Sequence, residues 1–145
     1  MKILVTAPYH EAARAMLERE IGAIAYHSWK PNGRAYKEDE LIDLLRSTAA
    51  EALITEHDQV SQKVIDAFPH LQFIGVCRGT PSNVDLKAAS RHGIPVFFTP
   101  ARNAQAVAEM FIANVITFDR KTIAASRWLE EGHWDGGAHD SYLQF

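Results

Sequence analysis

No G-x-G-x-x-G and no P-loop occurs in this chain. Its eight glycines stand at positions 22, 33, 75, 79, 93, 132, 136 and 137, and none makes the strand-to-helix turn through which backbone amides cradle a pyrophosphate. These residues therefore carry no recognisable nucleotide site. Cysteine is nearly absent too: the lone Cys77 rules out an internal disulfide and suits a reducing compartment. The opening Ile3-Leu4-Val5 is too short an apolar run for a signal peptide or a membrane span, which predicts a cytoplasmic protein with no membrane partner. Basic excess is lacking as well. A net charge of −3, with Trp29, Tyr36 and Trp128 too scattered to stack bases, gives nucleic acid no footing. His57 and Asp58 are adjacent, seldom aim at one point, and have no further ligand at a usual spacing, so no metal is expected.

What is present reads as alternating strands and helices. Lys2–Ala7 is an apolar strand closed by Pro8. Glu11–Ile21 carries a helical stripe (Ala12, Met16, Leu17, Ile21) stopped by Gly22. Ala23–His27 is a second strand, and Trp29–Ala35, with Pro31, Asn32 and Gly33, is a turn. Glu38–Arg46 is an amphipathic helix with Leu41, Leu44 and Leu45 inward. Ala52–Thr55 is the third strand, and Glu56-His57-Asp58 its terminal loop. Ser61 is placed to cap a helix over Gln62–Ala67. After Pro69, Leu71–Cys77 contains the fourth strand, Asp85–Arg91 a short helix, and Pro95–Thr99 the fifth strand. The alternation predicts an α/β fold: a flavodoxin-like five-stranded parallel sheet with flanking helices, functional groups gathering beyond the carboxyl ends of the strands.

The segment after Asn103 is different. Val107, Met110, Phe111, Ile112, Val115, Ile116 and Phe118 put apolar side chains around almost the whole circumference of a helix, which needs cover on several sides. One small sheet covers one side only. The expectation is a boundary near Thr99-Pro100, with one domain over 1–99 and a helical segment over 100–145 that begins a second, truncated domain or packs on another subunit. The apolar ending Ser141-Tyr142-Leu143-Gln144-Phe145 reads as a chain cut before further structure.

Several short runs, in order, resemble one family. They are Asn83-Val84-Asp85-Leu86, Ala88-Ala89, Gly93-Ile94-Pro95-Val96, Thr99-Pro100, Asn103-Ala104 and Ala106-Val107-Ala108-Glu109, with Gly132-His133-Trp134 further on. This pattern resembles the substrate-binding (catalytic) domain of the D-isomer-specific 2-hydroxyacid dehydrogenases, the family of phosphoglycerate and formate dehydrogenases. The resemblance implies that the full-length enzyme moves hydride between a 2-hydroxy acid, phosphorylated or not, and NAD or NADP. It implies that the Rossmann fingerprint and the catalytic Arg, Glu and His lie beyond Phe145. No catalytic residue and no bound cofactor are then expected in this chain, which alone should be inactive. It also implies that the helix Ala104–Arg120 crosses between domains and packs in a homodimer, and that Asn103 lies near the nicotinamide; helix capping is the other reading of Asn103.

The candidate substrate site is the loop after strand four. Arg78 offers a planar fork for a carboxylate or phosphate, and Gly79 leaves amides open, followed by Thr80 and Pro81. The family's common G-x-G-x-D-N-I-D is altered here, with Arg78 at the first glycine position and Thr80 at the second. Arg78 either contacts substrate or pairs with a neighbouring acid such as Glu56. Glu56 itself either faces the substrate, orienting Arg78 or accepting from a hydroxyl, or is a solvated loop acid. Cys77 reads as core, Glu109 as structural, and His133 and Trp134 as packing at the end of the second helix. The competing function is a stand-alone dimeric flavodoxin-like binding module without catalysis. A receiver domain or a true flavodoxin fits poorly, because Thr6-Ala7-Pro8 provides neither clustered acids nor a phosphate loop, and Thr99-Pro100 no lysine.

Overall fold

The computed structural model describes residues 1–134 and 136–145. It contains five strands, β1 (Lys2–Val5), β2 (Ala23–Tyr26), β3 (Ala52–Thr55), β4 (Ile74–Val76) and β5 (Val96–Phe98). They form one parallel sheet in the order β2-β1-β3-β4-β5. The helices are α1 (Glu11–Glu20), α2 (Glu38–Thr48), α3 (Gln62–Ala67), α4 (Leu86–Arg91), α5 (Ala104–Asp119), α6 (Thr122–Glu130) and α7 (Ala138–Gln144). The chain divides into two compact units, Met1–Ala101 and Arg102–Phe145.

In the first unit the central strands are apolar without interruption because both faces are packed. Leu4, Leu53, Ile74 and Val76 meet Leu41, Ile42 and Leu45 of α2, Val64 and Ile65 of α3, and Ala88 and Ala89 of α4. Ile3, Val5, Ala52 and Ile54 face the other way, with Leu17 of α1, Tyr9, Tyr26 and Phe73 packed on them. Fully burying each such Leu or Ile is worth about 1.5–3 kcal/mol. In α2 it is Ile42 that joins Leu41 and Leu45 in the core, while Leu44 is only partly covered.

Some edges differ from the sequence reading. β1 stops at Val5, yet Thr6 N–H still reaches the Ile54 carbonyl at 2.9 Å, so the chain leaves the ladder one residue at a time. β4 is shortened because Leu71 N–H turns back to the Phe68 carbonyl at 3.2 Å. Ser61 occupies the position before α3, but its hydroxyl caps nothing and is buried without a partner; the parallel bridge Val60–Val84 already sets the entry of the chain. Asp85, expected inside α4, instead caps it, accepting from Ala88 N–H at 2.9 Å. At α2 Glu40 accepts from the Lys37 N–H at 2.9 Å, the half of a capping box that a lysine at the cap position permits.

The second unit holds α5, α6 and α7. None of α5's residues is buried: Val107, Met110, Phe111, Ile112, Val115, Ile116 and Phe118 are each 50% exposed or more. Trp128 of α6 packs against the rings of His133, Trp134 and Phe145.

The forked Arg34–Glu40 contact and the Lys37 amide hold the Glu40 carboxyl at about 2, against an ordinary 4.5. A carboxyl depressed in the fold stabilises above its unfolded value and loses that contribution as pH falls through the folded one. The first turn of α2 should therefore loosen between pH 4.5 and 2. Hydrogen exchange of the Lys37 and Leu41 amides across that range checks this, and Glu40→Gln should abolish the pH dependence.

Candidate active site

Four loops meet at the carboxyl edge of the sheet, where parallel strands deliver side chains to one rim. Asp58 is wholly buried, and its two oxygens are taken up by three elements. Oδ2 accepts the hydroxyls of Thr6 at 2.5 Å and Thr55 at 2.6 Å, which stand just past β1 and at the end of β3. Oδ1 accepts the Tyr36 N–H at 2.8 Å, ahead of α2. The Asp58 carbonyl accepts from Asn83 Nδ2 at 2.9 Å. Sequence reading weighed Asp58 only as a metal ligand and missed this role. Only Thr55, three residues before Asp58, is a near neighbour in sequence; Thr6 and Tyr36 lie too far along the chain for a spacing signal.

Glu56 lies at the head of the same loop, 8% exposed, with Oε2 3.9 Å from His57 Nε2. The His57 ring meets Trp29 edge-on at 5.6 Å. Beside it runs the β4 loop, joined by Cys77 N–H to the Thr55 carbonyl at 2.8 Å. Arg78 is partly buried; its guanidinium lies 3.4 Å from the Ser82 hydroxyl and does not form the pairing with Glu56 considered above. Gly79 and Thr80 are open to solvent, whereas Pro81 is buried beneath them. A Cβ on Gly79 would meet only the Ala101 nitrogen and the Thr99 carbonyl, each at 3.9 Å, so space alone does not demand glycine there. The Thr99 N–H closes on the Arg78 carbonyl at 3.0 Å.

Cys77 is half-buried, its thiol 3.6 Å from the Tyr9 hydroxyl. Burial, then this contact, pushes the Tyr9 phenol well above its ordinary value. The Tyr26 phenol moves the other way: it accepts the Tyr9 N–H at 3.1 Å, the main cause, with Ser28 and the nearby Arg14 and Lys30 charges helping. These contacts fix the loop after β1. They also frame a shallow apolar cavity of about 190 Å³ with Phe73, Gly75 and Phe97.

In the second unit Asn103 stands at the cap of α5, exposed, with no capping bond from its side chain. Glu109 accepts from Gln105 at 2.8 Å on the helix surface. His133 lies beyond α6, stacked on Trp128 with its Nε2 3.2 Å from Glu131. Among the described residues no three His, Cys, Asp or Glu side chains could hold a metal ion, and no helix is long and apolar enough to cross a membrane. The rim presents the Arg78 guanidinium and the exposed backbone of Gly79 and Thr80, with Glu56 and His57 alongside.

The chain is similar to several known proteins. The chain is 59% identical, over its whole length and 42% of the relative's, to the candidate 2-hydroxyacid dehydrogenase YoaD of Bacillus subtilis (strain 168). The TT0316 protein of Thermus thermophilus superposes with a TM-score of 0.71 at 26% identity, over 93% of this chain and 42% of that one. The NAD+-bound 3-phosphoglycerate dehydrogenase of Entamoeba histolytica does so at 0.63 and 26% identity, over 81% and 38%. The chain thus spans well under half the length of the curated relatives it matches. Residues 3–131 match the family described as D-isomer specific 2-hydroxyacid dehydrogenase, catalytic domain, and the chain belongs to that family.

Proposed function

We propose that this chain is the substrate-binding part of an NAD- or NADP-dependent D-2-hydroxyacid dehydrogenase of the phosphoglycerate dehydrogenase type. The observation that carries the reading is the partly buried Arg78 beside the exposed Gly79 and Thr80 at the carboxyl edge of β4. Held only by a 3.4 Å contact to Ser82, the guanidinium can turn onto a carboxylate and bind both of its oxygens. Glu56 would orient the acid's hydroxyl, and Thr80 and Pro81 would shape the loop around it. The substrate is a small 2-hydroxy or 2-oxo acid.

The coenzyme and the groups that transfer hydride and proton belong to the rest of the full-length protein, for which residues 100–145 are the start. Asn103 lies toward the nicotinamide in this reading. The chain by itself neither binds nicotinamide tightly nor turns over. The exposed apolar girdle of α5 is assigned to a homodimer through Ala104–Arg120, because a helix apolar all round is stable only when covered. The cytoplasm is the proposed location.

Two measurements test this. The full-length protein should couple reduction of a short 2-oxo acid such as glyoxylate to oxidation of NADH or NADPH, and residues 1–145 alone should not. Arg78→Ala should lower kcat/KM by roughly 10- to 100-fold, the worth of a charged hydrogen bond, with Arg78→Lys in between because an ammonium cannot fork. Normal kinetics in Arg78→Ala would remove Arg78 from the site. In sedimentation the protein should be a dimer, and Phe111→Glu with Ile112→Glu should shift it to monomer; a wild-type monomer would contradict the assignment of α5.

A further inference from the structure

We infer that Asp58 and Asn83 form a positioning device for the substrate loop. Asp58 is the post and Asn83 the arm that sets where residues 78–82 stand. The inference rests on the dehydrogenase reading above, since it gives that loop its purpose.

A buried carboxylate is costly unless every oxygen is satisfied, and apolar replacements of such networks are often no less stable. Stability alone therefore does not account for an acid with 0% exposure at position 58. Geometry does. Thr6, Thr55 and the Tyr36 amide approach its carboxylate from three different segments, so the turn after β3 cannot shift without breaking several bonds at once. From that fixed turn the Asp58 carbonyl receives Asn83 Nδ2. The Val60 N–H takes the Asn83 carbonyl at 3.0 Å, and the Asp85 N–H returns to the Val60 carbonyl at 2.9 Å. The far end of the Arg78 loop is thereby tied to the β3 turn. Its near end is tied to the same strand through Cys77 N–H and the Thr55 carbonyl. Between the ties Pro81 is buried and its carbonyl accepts the Val84 N–H at 3.2 Å, so Gly79, Thr80 and Ser82 are the residues left to vary, and the proline ring stiffens them.

Asn83 shows the same priority of placement over stability. Its Oδ1 is buried with no hydrogen-bond partner, a cost that an apolar residue of similar size would avoid. The amide group is kept for its single bond to Asp58.

The test uses the full-length protein with NADH and glyoxylate, together with amide hydrogen exchange of residues 79, 80 and 82. Asn83→Ala should raise KM for glyoxylate about tenfold, leave KM for NADH unchanged, and speed exchange in the loop. Asp58→Asn should stay within about threefold of wild type, because its amide oxygen still accepts from Tyr36 and threonine hydroxyls can turn to accept from its NH2. Asp58→Ala should reproduce the Asn83→Ala kinetics. A folded Asn83→Ala with unchanged KM and unchanged exchange overturns the inference, as does an equal rise in both KM values, which a general structural lesion would give. If the wild type reduces no 2-oxo acid, the dehydrogenase reading fails. The exchange rates then decide this inference alone, and no acceleration in Asn83→Ala overturns it.

Discussion

A carboxylate sealed from water at the mouth of a parallel sheet is the constraint on which the rest of this rim depends. In a parallel sheet all strands point their carboxyl ends the same way, so several loops crowd one edge with their backbone polar groups. Asp58 answers that crowding by supplying acceptors to two threonine hydroxyls and a peptide N–H drawn from three segments. The loops after β1, β2 and β3 are consequently one framework, and the β4 loop joins it through Asn83 Nδ2 on the Asp58 carbonyl and Cys77 N–H on the Thr55 carbonyl. Arg78, the cation of the rim, hangs from it by a short loop and has only a long contact to Ser82. Rigid support with a loosely held charged tip is what a site for a small anion requires.

The second constraint is hydrophobic. The sheet buries its apolar residues with α2, α3 and α4 on one face and α1 with Tyr9 and Tyr26 on the other. The helix α5 cannot do the same, for its large apolar side chains point in all directions, and each from Val107 to Phe118 is at least half-exposed. The chain spans well under half the length of the curated relatives it matches, and the apolar side chains of α5 are left uncovered within it. The sequence carries no G-x-G-x-x-G or P-loop pattern.

The sheet was legible in the sequence because its signals are local. Short apolar runs punctuated by Pro8, Gly22, Pro69 and Gly93 marked strands and helices whose centres the structure reproduces. The ends were less legible, since they depend on bonds across the sheet, as with Thr6 to Ile54. Ser61 had the right residue type for a cap, yet a bridge between Val60 and Val84 decided the local backbone. Asp58 was hidden for a deeper reason. Thr6 is 52 positions away and Tyr36 is 22, so no spacing pattern could show that both converge on it. Arg78 was visible as a cation in a glycine-containing loop, but which side chain it would approach was not.

The claim that an anion is gripped by the β4 loop is tested most directly by a crystal structure of the full-length protein with oxalate and a nicotinamide coenzyme. The account predicts the oxalate on the Arg78 guanidinium and the Gly79–Thr80 amides, with Arg78 drawn away from Ser82. Oxalate bound elsewhere, with Arg78 still on Ser82, would contradict it.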